Sequence, residues 1–244
     1  MEVLCLEGNR FGGVLPSFIA NLSTKLQFLT LGGNMIRGRI PIGIGNLINL
    51  KVLRLDGNYF GGTLPDVLGK LQKLVELYLH NNKFSESIPS SLGNLTTLTS
   101  LFLDEKKFKG TIPPSLGNCQ NLHTLNFSRN NLTSTIPKQV LGLSSLSISL
   151  VMSHNFLIGT LPFEVGNLIL LGELDRSKNR LSGEIPSTLE TYLSLDHLYL
   201  EGNSLKGAIP QSEITSMGIF LNFLASLHHL SISTFLVMIS RVKC

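Results

Sequence analysis

Leucines separated by one residue recur along the chain, as Leu53-x-Leu55, Leu77-x-Leu79, Leu101-x-Leu103 and Leu198-x-Leu200. A period of two sends both members of a pair to one side of a short strand and the residue between them to the other. Each pair leads through polar and glycine-rich residues to a proline and a second apolar segment. In PSSLGNL (residues 89–95), Leu92 and Leu95 stand three apart, which suits a helical or 3₁₀ turn facing inward. The pattern predicts a short strand, a turn and a helical turn, many times over.

The repetition keeps a fixed length. Prolines stand at positions 16, 41, 65, 89, 113, 137, 162, 186 and 210, always 24 or 25 residues apart. Seven residues ahead of them come Asn9, Asn34, Asn58, Asn82, Lys106, Asn130, Asn155, Asn179 and Asn203. One such unit cannot bury its own leucines, whereas stacked copies bury them against neighbours, which is the logic of a solenoid. A fully buried leucine contributes roughly 1.5–3 kcal/mol, so a column of nine units is self-supporting.

The consensus L-x-x-L-x-L-x-x-N-x-(L/F)-x-G-x-(I/L)-P-x-x-(L/I/V)-G-x-L resembles the plant-type leucine-rich repeat of receptor-like kinases and receptor-like proteins. Residues 26–47 and 195–210 show it plainly, and the resemblance covers about residues 1 to 212. Its diagnostic glycine, three residues before the proline, is present in seven units and replaced by Glu86 and Ser134 in the other two. The resemblance implies an α/β leucine-rich-repeat solenoid with a curved parallel β-sheet on the concave face and short 3₁₀ or helical turns on the convex side. It also implies an internal ladder of asparagines. An amide has two donors and an acceptor with which to satisfy backbone groups left open where the strand turns away. Lysine cannot accept, so Lys106 is expected to cost about 1–3 kcal/mol unless its ammonium reaches solvent. Two further departures weaken the core locally: Arg176 takes an inward leucine position, and Ser147 replaces a leading leucine whose place Leu146 can fill through the extra residue there.

The outward strand positions follow from the same alternation. Arg54, Asp56, Tyr78, His80, Phe102 and Asp104 fall on three adjacent strands, about 5 Å apart. An exposed aromatic pair flanked by charges of both signs has the composition of an interaction hot spot, so these six are the candidate ligand-binding residues. Sequons occur at Asn21, Asn94, Asn126 and Asn131. Asn21, Asn94 and Asn131 are the candidate glycosylation sites, because a glycan on Asn126 would stand on the concave face.

Charge adds little: 20 basic residues against 16 acidic ones, dispersed, form no nucleic-acid-binding stripe. Cys5, Cys119 and Cys244 lie too far apart to suggest a disulfide framework or zinc site. Gly69-Lys70 is no phosphate loop, and no zinc-protease, serine-hydrolase or kinase motif occurs. Of the six histidines, His80, His123, His154 and His197 fall at slots of separate repeats, and His228 and His229 lie in the segment after them. No catalytic residue, metal or cofactor is expected, so the chain should bind rather than catalyse.

At the ends, Met1 falls inside a repeat, no signal peptide is recognisable, and the solenoid reads as N-terminally truncated. After about residue 212 the pattern fails, leaving residues 213–244 as an apolar tail that is a membrane span, a cap or a gene-model artefact. The resemblance is strongest to the group containing immune receptors for microbial patterns. It implies the ligand-recognition module of a plant receptor-like serine/threonine kinase, without the kinase domain, in defence or developmental signalling. The implied setting is extracellular or at the plasma membrane, and the implied partners are a peptide or protein ligand and a co-receptor ectodomain, with no nucleic acid. The alternatives are a secreted inhibitor of microbial cell-wall hydrolases and a non-functional truncated remnant.

Overall fold

The computed structural model describes residues 1–105 and 107–207. Lys106, Glu213 and the apolar tail therefore lie outside the described residues, as do His228, His229 and Cys244. Among the described residues, nine three-residue strands form one parallel sheet, from Val3–Cys5 through Val52–Arg54, Glu76–Tyr78 and Ser100–Phe102 to His197–Tyr199. Neighbouring strands pair in strict register, Leu53 with Leu77 and Leu77 with Leu101. The leucines therefore stack into buried columns, while the residues between them face out.

Among the described residues eight prolines open turns on the opposite side. Pro65 and Pro89 hold φ at −74° and −70°, within the range their rings allow, and their carbonyls accept from the amides of Leu68 and Leu92. The turns are 3₁₀, except Lys138–Leu141, which is α-helical and precedes the extra residue of the seventh unit. Within these turns Gly93 packs so closely that an added Cβ would lie 2.3 Å from the Ser115 carbonyl oxygen. Glycine there sets how near adjacent units approach.

A second set of parallel pairings links the segments after each asparagine, running from Arg37–Gly38 through Tyr59–Gly62, Lys83–Glu86 and Lys107–Gly110 to Asn131–Leu132. It resumes at Ile158–Gly159, and across the gap Phe156 and Ile158 still donate to the carbonyls of Leu132 and Ser134. This ribbon was not anticipated from the sequence. Its inward residues, Phe60, Phe84 and Phe108, are fully buried with rings stacked 6.2 and 6.5 Å apart.

The asparagine ladder is present and reaches further than one unit. The Asn58 amide donates to the carbonyls of Leu55 and Asp56 in its own unit and of Leu31 in the preceding one. Its Oδ1 accepts the Ile36 amide, again from the preceding unit. Asn34, Asn82, Asn130, Asn155 and Asn179 repeat this set. Each amide is thus a cross-link between neighbouring units as well as a brace for its own turn.

The two core departures resolve differently. Leu146 is fully buried and fills the slot that Ser147 leaves. Arg176 is also fully buried, but none of its three side-chain nitrogens has a hydrogen-bond partner. Burial pulls its guanidinium down to about 10, against a smaller opposing effect of Tyr192.

Candidate ligand-binding face

The sheet's outward residues form three columns running across the strands, because in-register pairing places equivalent positions side by side. In the middle column the Arg54 guanidinium carbon lies 4.3 Å from the centre of the Tyr78 ring. Tyr78 in turn stacks on Phe102 with centroids 4.8 Å apart and planes 13° from parallel. Both spacings are close to the strand separation of about 4.8 Å, which falls within the centroid distances at which aromatic pairs stack. Arg54, Tyr78 and Phe102 thus form one continuous cation–aromatic–aromatic stack, each member only half-buried.

The adjacent column holds Asp56, His80 and Asp104. Asp56 leans over Gly32, where a Cβ would come within 3.1 Å of its carboxylate, so glycine makes room for it. Its Oδ2 lies 3.8 Å from His80 Nε2, and the His80 ring sits 6.1 Å from Tyr78 and 5.9 Å from Phe102, edge-on and tilted. Asp104 follows His80 one strand along. All six candidate residues therefore face outward within one patch.

One member of the patch was missed from the sequence. Glu76 Oε2 accepts a hydrogen bond from Arg54 Nη2 at 3.1 Å. Glu76 precedes the first leucine of its pair, so the same alternation marks it as outward; the candidates were drawn only from the position between the leucines and the one two residues further on. Burial lowers the Arg54 pKa, but the hydrogen bond to Glu76 and the nearby charges of Tyr78, Glu76 and Asp56 outweigh it, leaving the group above its ordinary value. The arginine is a fixed cation.

Asn21 and Asn94 close 3₁₀ turns and are exposed, and Asn131 is exposed at the start of its short strand. Asn126 is half-buried on the sheet face, where its Oδ1 accepts the Ser128 amide. Cys5 is exposed and Cys119 buried, both as free thiols. Among the described residues no helix is long and apolar enough to cross a membrane, and no catalytic domain accompanies the repeats.

Comparison with known proteins agrees with this geometry. The family described as leucine rich repeat matches over residues 48–108 and again over 1–22, 25–47 and 121–143, together more than half of the chain. A 53-residue stretch is 55% identical to the LRR receptor-like serine/threonine-protein kinase EFR of Arabidopsis thaliana, covering 22% of this chain and 5% of that protein. The structure resembles the ectodomain of the Arabidopsis thaliana receptor kinase GASSHO1/SCHENGEN3, solved with CASPARIAN STRIP INTEGRITY FACTOR 2. That match has a TM-score of 0.83 at 33% identity and covers 86% of this chain and 25% of that one. It also resembles the Arabidopsis receptor kinase HAESA, solved with the peptide hormone IDA and the co-receptor SERK1. Here the TM-score is 0.82 at 36% identity, covering 86% of this chain and 35% of that one. The chain thus spans about a third or less of the receptors it matches.

Proposed function

Because the chain belongs to the leucine-rich-repeat family and is built like the ectodomains of plant receptor kinases, we propose that it is a ligand-recognition module binding a peptide or protein on its concave sheet. The observation that carries this reading is the Arg54–Tyr78–Phe102 stack with Glu76, Asp56 and His80 around it. These aromatic side chains contribute nothing to the buried leucine columns and stay half-exposed at the middle of the sheet. A pre-stacked aromatic pair is rigid, so little side-chain entropy is lost when a partner covers it.

The wider assignment follows the family. The chain binds rather than catalyses, and any phosphotransfer belongs to a kinase domain of a longer protein. A co-receptor ectodomain is the second partner, the setting is extracellular or at the plasma membrane, and Asn21, Asn94 and Asn131 carry the glycans. The solenoid occupies residues 1–212, with 213–244 a separate segment.

The test is selection of a phage-displayed random twelve-residue peptide library on the 244-residue chain and on its Tyr78→Ala/Phe102→Ala variant. Peptides enriched on the native chain should lose at least tenfold in affinity on the variant, whose far-ultraviolet spectrum and melting curve stay native-like. Equal binding to both folded proteins refutes the patch.

A further inference from the structure

The sheet face has the opposite charge to the chain as a whole. The chain is net +4, yet among the described residues the three outward columns hold seven carboxylates against the single guanidinium of Arg54. Six of these carboxylates gather at two places. Asp56, Glu76 and Asp104 flank the Tyr78–Phe102 stack, and Glu173, Asp175 and Glu201 flank Tyr199. The sixth and seventh strands between them present Thr124, Asn126, Ser128, Ser149, Val151 and Ser153, with no charge.

Each pole shows what it would accept. At the first, Arg54 already sits over an aromatic ring with a carboxylate 3.1 Å from its nitrogen, an internal example of the contact a ligand cation would make. At the second, the Tyr199 phenol is held above its ordinary pKa, by burial first and then by Glu173, Asp175 and Glu201, which places all three carboxylates within electrostatic reach of the ring. One oxygen of Glu201 has no hydrogen-bond partner. His197 lies beside Tyr199, ring centres 6.1 Å apart, and widens the flat surface.

From Phe102 to Asp175 there are three strand steps and from Tyr78 to Tyr199 five, which at about 4.8 Å per step span roughly 14 to 24 Å. An extended peptide advancing about 3.3 Å per residue covers that distance in roughly four to seven residues. We propose that the sheet binds an extended peptide bearing two cationic side chains, arginine or lysine, about four to seven residues apart. One cation seats on the Tyr78–Phe102 pole and the other among the carboxylates around Tyr199. An anionic segment laid across the same face would bring its charges against both poles and be repelled. This inference rests on the sheet being the ligand face.

The peptide selection described above tests it, with a second variant, Glu173→Gln/Asp175→Asn/Glu201→Gln, that neutralises the pole around Tyr199 while leaving Tyr78 and Phe102 in place. Enriched peptides should carry paired Arg or Lys at the stated spacing. A synthetic member should bind the neutralised variant about tenfold more weakly and weaken further as salt is raised. Peptides that need Tyr78 and Phe102 but lack paired cations, and bind the neutralised variant undiminished, would overturn the two-cation inference and leave the ligand face standing. Peptides indifferent to both variants, or no enrichment on the native chain, would overturn both.

Discussion

Replacing Arg176 by methionine should stabilise this protein. Arg176 occupies the inward position held by Leu55, Leu79 and Leu103 in earlier units and by Met152 in the unit before it. Its side chain is fully buried, and none of its nitrogens is hydrogen-bonded. Burial depresses its pKa from the ordinary arginine range to about 10, which puts the cost of keeping the charge there at roughly 3 kcal/mol. Methionine is unbranched, has nearly the same reach and fills irregular space without a charge to desolvate. Removing a buried charge in favour of apolar packing is typically worth about 1–4 kcal/mol, so Arg176→Met should gain about 2–3 kcal/mol. In a cooperative domain of this size that raises the melting temperature by roughly 5–10 °C. In a repeat array the gain is felt most by the nearest units. Hydrogen exchange should therefore slow at the Arg176 amide position, bonded to the Tyr199 carbonyl, and at Leu181, bonded to Asn203.

The pH dependence gives the same cause a second signature. Folded Arg176 releases its proton near pH 10, while the unfolded chain holds it to the higher, ordinary arginine value. Between those values the unfolded chain binds more protons, so the free energy of unfolding rises with pH. The destabilisation is fully present below about pH 10 and is relieved above it. The advantage of the methionine variant should be constant from pH 7 to 9 and shrink above 10. Tyr192, whose phenol burial pushes up to about 12 against a smaller lowering by Arg176, shifts stability the other way above pH 10 in both chains; losing the Arg176 charge raises that phenol further in the variant and adds to the narrowing. A native protein as stable as the variant at pH 7, or a gap that fails to narrow above pH 10, would refute the reasoning.

Asn130→Ala should cost about 3 kcal/mol in urea unfolding, since it removes an amide that joins the Leu103, Phe127 and Ser128 carbonyls and accepts the Phe108 amide; a loss below about 1 kcal/mol would show that the ladder is replaceable. Ser134→Gly should gain about 0.5–1 kcal/mol, because Ser134 is held at φ 72° where most units have glycine. The melting curve decides, and an unchanged or lowered midpoint would count against strain there. In a Cys244→Ser chain, Cys5 should react with a thiol reagent within minutes while Cys119, buried and pushed up to about 11, reacts only on unfolding; two fast thiols in that chain under native conditions would contradict the packing.

The features legible in the sequence were those repeated often enough to show a period. The leucine columns, the proline-opened turns, the asparagine slot and the stand-in of Leu146 for Ser147 could all be read that way, and they appear as expected. The second ribbon of strands was hidden because each member is two to five residues long, no longer than the turn it resembles. That Asn58 reaches back to Leu31 and Ile36 was also hidden, since spacing along one unit says nothing of contacts across two. Glu86 and Ser134 looked like departures from the glycine rule, yet both keep the left-handed backbone, at φ 68° and 72°. The turn is imposed by the ladders around it rather than by glycine alone. Arg54, Tyr78 and Phe102 could be assigned to one column by parity. Their stacking could not, because it depends on side-chain rotamers that the sequence does not state.

The charge pattern on the sheet can vary because folding and recognition use different positions. Leu53 and Leu55 face the core while Arg54 between them faces out, so neither a rotamer nor a charge at Arg54 disturbs the leucine column. Asn58 ties one unit to the previous one through backbone atoms only, and so tolerates any outward neighbour. The outward columns are then constrained mainly by one another, as in Arg54 with Glu76 and Tyr78 or Asp56 with Gly32. Such constraints act between adjacent strands about 4.8 Å apart, so a patch of three strands can be composed as a block while strands further along stay neutral. Two separate poles on one sheet are a natural product of that arrangement, and a ligand long enough to reach both gains from each contact without a rearrangement of the solenoid.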